Sequence, residues 1–186
     1  LPHLHPKANY DPQKELAPIG IVATVPMVLS VSNKSGIQDL PAMLKRLRDE
    51  KAVKLNMGSS GPGSTAHLAE AMFLHFANGR GELIPYRGTG PALTDLMSGM
   101  IDGVIGQTVT MLPLHQDKRV KAIAVTGPAR LAQSPDIPTF AEGGLPEFDL
   151  TIWNGLVAPA GTPQPVVDKL SAALSQAIDT PEFKAR

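Results

Sequence analysis

Twice in succession, between residues 53 and 100, the chain spells the same unit: a short apolar run, a glycine-rich turn and an amphipathic helical pattern. The first unit is a strand at residues 53–57, the loop Gly58-Ser59-Ser60-Gly61-Pro62-Gly63-Ser64-Thr65, and a helix to about Asn78 with Leu68, Ala69, Met72, Phe73 and Phe76 at core-facing spacing. Asn78-Gly79 ends it. The second is a strand at 82–86, the loop Arg87-Gly88-Thr89-Gly90-Pro91, and a helix carrying Leu93, Leu96, Met97 and Met100, after which residues 102–107 read as another strand. Strands that alternate with helices call for crossover connections, so the pattern predicts an α/β fold on a parallel sheet with right-handed crossovers.

The flanks are less regular. Residues 1–14 are polar and without a period, and read as a connecting segment. Residues 16–31 are apolar and rich in Val and Ile, with Pro18 and Pro26 dividing them into two extended stretches. Asp39 is placed to cap a helix whose first turn admits Pro41, and Leu40, Met43, Leu44 and Leu47 form its buried stripe. Beyond Lys118 come a strand at 121–126, an excursion through Pro128, Pro135 and Pro138, an apolar stretch at 150–159 and a helix at 166–178. Residues 181–186 resemble the first turn of a further helix, so both ends read as cut from something larger.

Composition excludes several classes of function. Seventeen basic residues balance seventeen acidic ones, so no net field draws the chain to nucleic acid or an anionic membrane surface. Without cysteine there is no disulfide, thiolate metal site or cysteine nucleophile. No apolar run reaches the roughly 20 residues that span a bilayer, and the first residues have no signal-peptide shape.

The loop at 58–65 joins a strand to a helix, where unpaired backbone N–H groups and the helix dipole favour an anion. Gly61 and Gly63 allow close backbone approach, and Ser59, Ser60, Ser64 and Thr65 add uncharged hydroxyl donors. The pattern G-x-x-x-x-G-S-T misses the lysine of a P-loop, which sets nucleoside triphosphates aside. Gly61-Pro62-Gly63-Ser64-Thr65-Ala66 also fits the permissive dinucleotide fingerprint, but the next strand ends in Tyr86-Arg87 where that fold needs a ribose-binding acid. A nicotinamide-dependent, Rossmann-like enzyme is thus a minor alternative. A tight βα connection with no ligand would suffice for one such loop, whereas two at neighbouring strand ends point to a shared site.

Other candidates are weaker. His67 and Glu70 can share a helix face, but no third ligand follows at helical spacing, so no metal is assigned. His75 reads as a surface residue, and His3 and His5 sit in a loose end. Trp153 either lines a pocket or packs in the core. Arg87 and Arg130 either pair with a ligand carboxylate or stay solvated. No acid and base pair stands near either loop, so the chain is expected not to be an enzyme and to need no cofactor.

Five blocks resemble the extracytoplasmic solute receptors of tripartite tricarboxylate transporters, the Bug proteins. They are Tyr10-Asp11-Pro12 with Leu16-Ala17-Pro18-Ile19; residues 54–68, around Gly58-Ser59-Ser60-Gly61; residues 85–96, from Pro85-Tyr86-Arg87-Gly88; residues 136–146, from Asp136-Ile137-Pro138; and residues 153–163, from Trp153-Asn154-Gly155. They run through nearly the whole chain in the family's order.

The resemblance implies a type II periplasmic-binding-protein fold of two lobes with parallel-rich sheets, the first lobe incomplete in this chain because the family's N-terminal strand–loop–helix unit is missing. It divides the chain into 1–31 (partial first lobe and crossing strand), 32–120 (second lobe) and 121–186 (second crossing strand and return). It implies a periplasmic, not membrane-embedded, receptor that captures a small carboxylate between lobes closing by a hinge, and hands it to the membrane subunits of a transporter. A ligand sensor for a membrane regulator is the alternative within the same family. By motif position Ser59, Gly61, Gly63, Ser64, Thr65 and His67 carry over from one loop and Thr89, Gly90 and Pro91 from the other. Gln107 stands where the resemblance leads one to expect an aspartate or other polar group, and would meet the distal end of the ligand.

Overall fold

The computed structural model describes residues 11–184, so the expectations for His3 and His5 lie outside the described residues. In chain order the elements are α1 (Pro12–Glu15), β1 (Leu16–Val31), α2 (Leu40–Arg48), β2 (Leu55–Ser59), α3 (Thr65–Phe76), β3 (Gly81–Pro85), α4 (Thr89–Ser98), β4 (Gly103–Gln107), α5 (Thr108–Gln116), β5 (Lys121–Val125), β6 (Thr151–Pro159), α6 (Gln164–Ile178) and α7 (Pro181–Lys184). They fall into two compact units, one of Leu1–Thr24 with Trp153–Arg186 and one of Val25–Ile152.

The larger unit is built on the sheet order β3-β2-β4-β1-β5. The repeated strand–loop–helix unit makes β2 parallel to both β3 and β4. β1 is antiparallel to both β4 and β5, so the parallel pairing that the repeated unit predicts is joined by an antiparallel strand in a mixed sheet. β1 lies between β4 and β5, and its onward connection runs through α2 to β2, which is not its neighbour, so that crossover does not fix its direction to match theirs. β1 is also one strand of 16 residues and not two stretches. Its pairing to β4 begins at Met27, so the missing N–H of Pro26 falls just before the ladder and costs it no bond.

Alternation along the strands sorts the core onto the two faces. Leu29 and Val31 of β1, Leu55 and Met57 of β2 and Ile105 of β4 pack with Ala69 and Phe73 of α3. Val28, Val104 and Val125 pack on the other face with Leu93 and Leu96 of α4 and Met111 of α5. The irregular segment after β5 adds Phe140, Leu145 and Phe148 to the α3 side. That packing holds it in the larger unit, which runs from Val25 to Ile152.

Helix phase departs from expectation in one informative place. Ala69, Glu70 and Phe73 are the buried residues of α3, whereas Leu68 and Phe76 are 43% and 39% exposed. The small Ala69 side chain lets the helix lie close to the sheet along the Ala69–Phe73 line, which turns Leu68 and Phe76 off the contact and brings Glu70 in. Met100 lies beyond the left-handed Gly99 that terminates α4 and is exposed.

Asp39 caps α2 as the sequence suggests, its Oδ1 accepting from the Ala42 N–H at 2.8 Å, and Leu40, Met43, Leu44 and Leu47 are buried. Asp39→Ala is therefore expected to lower stability by about 1 kcal/mol, read as a shift of the urea midpoint with an unchanged slope.

In the smaller unit β6 pairs with β1, and α6 lies close enough that a Cβ at Gly20 would sit 2.9 Å from Leu174 Cδ2. Among its described residues only Ile19 and Ala158 are buried hydrophobics, and no residue of α6 is buried. Val166 and Leu170 of α6 and Trp153 of β6 keep 46%, 39% and 65% of their surface exposed. Two strands and one long helix offer too few layers to enclose an apolar interior.

Candidate functional site

The chain leaves β2 for α3 on one face of the sheet and reaches β4 from α4 on the other. Between the carboxyl ends of β2 and β4 the connections therefore turn opposite ways, and in α/β sheets such a reversal opens a crevice. A cavity of about 400 Å³ occupies this point. Its wall comes from the β2–α3 turn (Gly58, Ser60, Ser64, Thr65, Ala66), the start of α4 (Thr89, Ala92) and the end of β4 running into α5 (Val104, Ile105, Gly106, Gln107, Thr110), closed by Met27 and Ile152.

Three helices of nine residues or more begin at this cavity: α3, α4 and α5. The first turn of each carries N–H groups with no intrahelical acceptor, and each dipole puts roughly half a positive charge at its start. The caps of α4 and α5, Gly88 and Gln107, accept no side-chain bond from their first turns, which leaves those N–H groups without a capping acceptor. Among the described residues none that lines the cavity is charged. The arrangement is an electropositive, uncharged cradle whose donors are backbone N–H groups and the hydroxyls of Ser60, Ser64, Thr65, Thr89 and Thr110.

The β2–α3 loop is held by its own bonds. Ser64 N–H donates to the Gly61 carbonyl at 3.1 Å, closing a turn in which Gly61 and Gly63 have φ of 122° and 75°. His67 Nδ1 accepts from the Gly63 N–H at 3.2 Å, and Ser64 Oγ accepts from the His67 N–H at 3.2 Å. The His67 ring thus holds the loop in the tautomer with Nδ1 free to accept. The Ser59 carbonyl accepts from the Tyr86 N–H, which ties the two glycine-rich turns together. Gly58 has no room for a side chain, since a Cβ would stand 2.3 Å from Ile101 Cδ1 and 3.2 Å from Tyr86 Cε2.

Of the residues singled out from sequence, Ser60, Ser64, Thr65, Thr89 and Gln107 line the cavity. Ser59 is fully buried behind the wall, and Gly61, Gly63 and His67 shape the loop from outside the lining. Gly90 and Pro91 lie in the first turn of α4 without lining the cavity. Arg87 is exposed and away from the wall, while Arg130 is engaged by the Glu142 carboxylate at 3.0 Å and the Pro135 carbonyl. Trp153 belongs to the smaller unit and is exposed. Among the described residues no three metal-ligating side chains gather, and Glu70 points its carboxyl at the Ile105 N–H and not toward His67.

The whole chain, residues 1–186, matches the family of the tripartite tricarboxylate transporter receptor. The chain belongs to this family. It is 37% identical over 179 residues to the UPF0065 protein in the tcbD-tcbE intergenic region of Pseudomonas sp. (strain P51), covering 96% of this chain and 53% of that protein. Among solved structures, MatC from Rhodopseudomonas palustris with bound malate has a TM-score of 0.83 at 32% identity, over 97% of this chain and 61% of that one. A second R. palustris protein, solved with adipate, has a TM-score of 0.85 at 27% identity, over 98% of this chain and 63% of that one. The chain spans about half the length of the curated relatives it matches. The fold is that of the Bug-type periplasmic binding proteins, and the family is one of substrate receptors and not of enzymes. Among the described residues no helix is long and apolar enough to cross a membrane.

For a receptor of this family the part least visible in sequence is the contribution of β4 and α5. Residues 108–116 carry Pro113 and the β-branched Thr108, Val109 and Thr110, which together hide a helix. The available signal was positional: Gln107 ends a strand and caps a helix with no loop between, a third strand-to-helix junction beside the other two. Glu70, weighed from sequence only as a metal ligand beside His67, was not expected in the core, because a carboxyl group there contradicts the polarity rule by which core residues are chosen. Its Oε1 accepts from the Ile105 N–H at 3.2 Å, and burial pushes its carboxyl up to about 8 against the smaller lowering effect of that bond. Tyr86, above Gly58, donates its hydroxyl to Asp95 Oδ2 at 2.8 Å, and burial together with that carboxylate raises it to about 12.

Proposed function

We propose that this chain captures a small carboxylate in the cavity at the ends of β2 and β4, as the receptor of a tripartite tricarboxylate-type transporter in the periplasm. The convergence of three helix N-termini on a cavity with no charged lining is the observation that supports this reading most directly. A carboxylate placed there meets backbone N–H groups and hydroxyls on several sides, and such donors hold an anion without a counter-cation. Nothing in the lining is a nucleophile paired with a base, so the bound molecule is held and released unchanged. Ser59, Gly61, Gly63 and His67 support the ligand through the loop, and Ser64, Thr65, Thr89 and Gln107 face it. Gly90 and Pro91 shape the start of α4.

The malate and adipate held by its structural relatives make dicarboxylates of four to six carbons the first class to test. A thermal-shift screen of malate, adipate, monocarboxylates, NAD and ATP on the natural protein that carries this chain separates the readings. A carboxylate at about a hundred times its Kd is expected to stabilise the protein by about 2.7 kcal/mol, a rise in Tm of several degrees. If NAD or ATP raised the Tm and no carboxylate did, the receptor reading would be lost.

A further inference from the structure

We infer that Glu70 is a positioning residue of the carboxylate site that works as the neutral acid, so that the site takes an anion together with the proton Glu70 carries; this rests on the carboxylate reading above.

The register between β2 and β4 stops at Met57 and Gly103, and the cavity opens beyond it. Glu70 reaches from α3 into this gap, fully buried, and its Oε1 takes the Ile105 N–H, so the carboxyl supplies an acceptor that β2 does not. Ile105 lines the cavity, as does Gly106 after it. The other oxygen, Oε2, has no hydrogen-bond partner, and neither has Ser59 Oγ. Strand alternation through Leu55, Met57 and Ser59 puts that hydroxyl on the α3 face, the face Glu70 enters, while its neighbours Gly58 and Ser60 form the cavity wall. The third such atom, Ser30 Oγ, alternates with Leu29 and shares the opposite face with Val28.

Two orphaned polar atoms therefore stand behind the wall of an anion site. As a carboxylate, Glu70 would hold a negative charge with one unpaired oxygen in an apolar layer, and would repel an anion across the wall. As the acid it carries no charge and has a proton to donate from Oε2, while Oε1 still fixes the Ile105 peptide. Burial favours this form, pushing the carboxyl up to about 8.

No cation offsets that effect from the packed elements. β2 and β4 carry no titratable side chain, and the only one on β3, Glu82, is paired with Lys54. α3 itself contributes His67, engaged with the Gly63 N–H, and the exposed His75. At its far end Arg48 donates to the Ala77 carbonyl. The segment packed on Phe73 brings Glu142, paired with Arg130, Asp149, bonded to the Gly127 N–H, and the exposed Glu147.

The test is calorimetric titration of the natural protein carrying this chain with malate and with adipate, from about pH 6.5 to about 9.5, where both ligand carboxyls are already ionised. Heats measured in buffers of different ionisation enthalpy give the protons taken up on binding. In the wild type we expect almost none at the acid end and close to one per ligand at about pH 9, with affinity weakening towards tenfold per pH unit above about 8. Glu70→Gln keeps the shape without the titrating proton and is expected to abolish both the uptake and the slope. Uptake that persists in Glu70→Gln, or wild-type binding without uptake at about pH 9, removes the role of Glu70 and leaves the carboxylate reading standing. The wild-type heats decide this even if the variant fails to fold. If neither malate nor adipate binds at any pH, the carboxylate reading falls, and this inference with it.

Discussion

Phe73→Ala is expected to lower the unfolding free energy by about 3–5 kcal/mol, a large share of the roughly 5–15 kcal/mol that holds a domain together. Phe73 is fully buried on α3, and its ring meets Phe140 and Phe148 edge-on at centroid distances of 5.9 and 5.8 Å. Phe140 and Phe148 are themselves 4.5 Å apart. The three rings clamp the irregular segment after β5 onto the helix whose first turn faces the cavity, so truncation loses ring contacts as well as buried area. Phe76, one turn further on the same helix and 39% exposed, is the internal control: Phe76→Ala is expected to cost about 1 kcal/mol or less. Urea unfolding followed by circular dichroism measures both. Equal losses would mean that α3 is rotated from the phase described above.

Stability is also expected to fall as pH rises from about 4.5 to about 8, because of Glu70. Its carboxyl stands at about 8 in the folded chain against 4.5 for an unperturbed glutamate. Below 4.5 both states hold the proton and the contribution is complete. Between the two values the unfolded chain releases it while the folded chain retains it, so the folded state binds more protons and loses stability with each step in pH. Above about 8 the contribution is gone. At about 1.4 kcal/mol per pH unit the whole window amounts to roughly 5 kcal/mol. Asp136, held low by its bond to His115, and Glu142, held low by Arg130, act in the opposite direction but below the ordinary carboxylate range, outside this window. Guanidinium midpoints at about pH 5 and pH 8, for the wild type and Glu70→Gln, are the measurement. The wild type should lose stability between them and the variant should lose much less; parallel slopes would mean that Glu70 is not the titrating group.

What the sequence made legible was local. The strands at β2, β3 and β4, the cap at Asp39 and the glycine turn at 61 and 63 all follow from neighbours within a few residues. The two glycine-rich turns, read as anion loops on the absence of a lysine and an acid, do lie at one cavity. The errors came where a residue's surroundings are supplied from far along the chain. Leu68 and Phe76 have the spacing of a core stripe, yet the shape of the sheet beneath α3 selected Ala69, Glu70 and Phe73. Pro26 reads as a break, yet the ladder with β4 begins after it, so β1 runs through.

By itself, then, the sequence determined the alternation of strands and helices, the glycine-rich make-up of the two loops and membership of a receptor family, because helix caps, turns and side-chain periods are set by short stretches of chain. The tertiary structure alone decided that β2 and β4 part at the point where the connections reverse, that α5 adds a third N-terminus to the cavity, and that a carboxyl group is shut behind its wall. These depend on strand order and on which face each helix covers, and residues 35 apart in the chain, such as Glu70 and Ile105, meet only once that order exists.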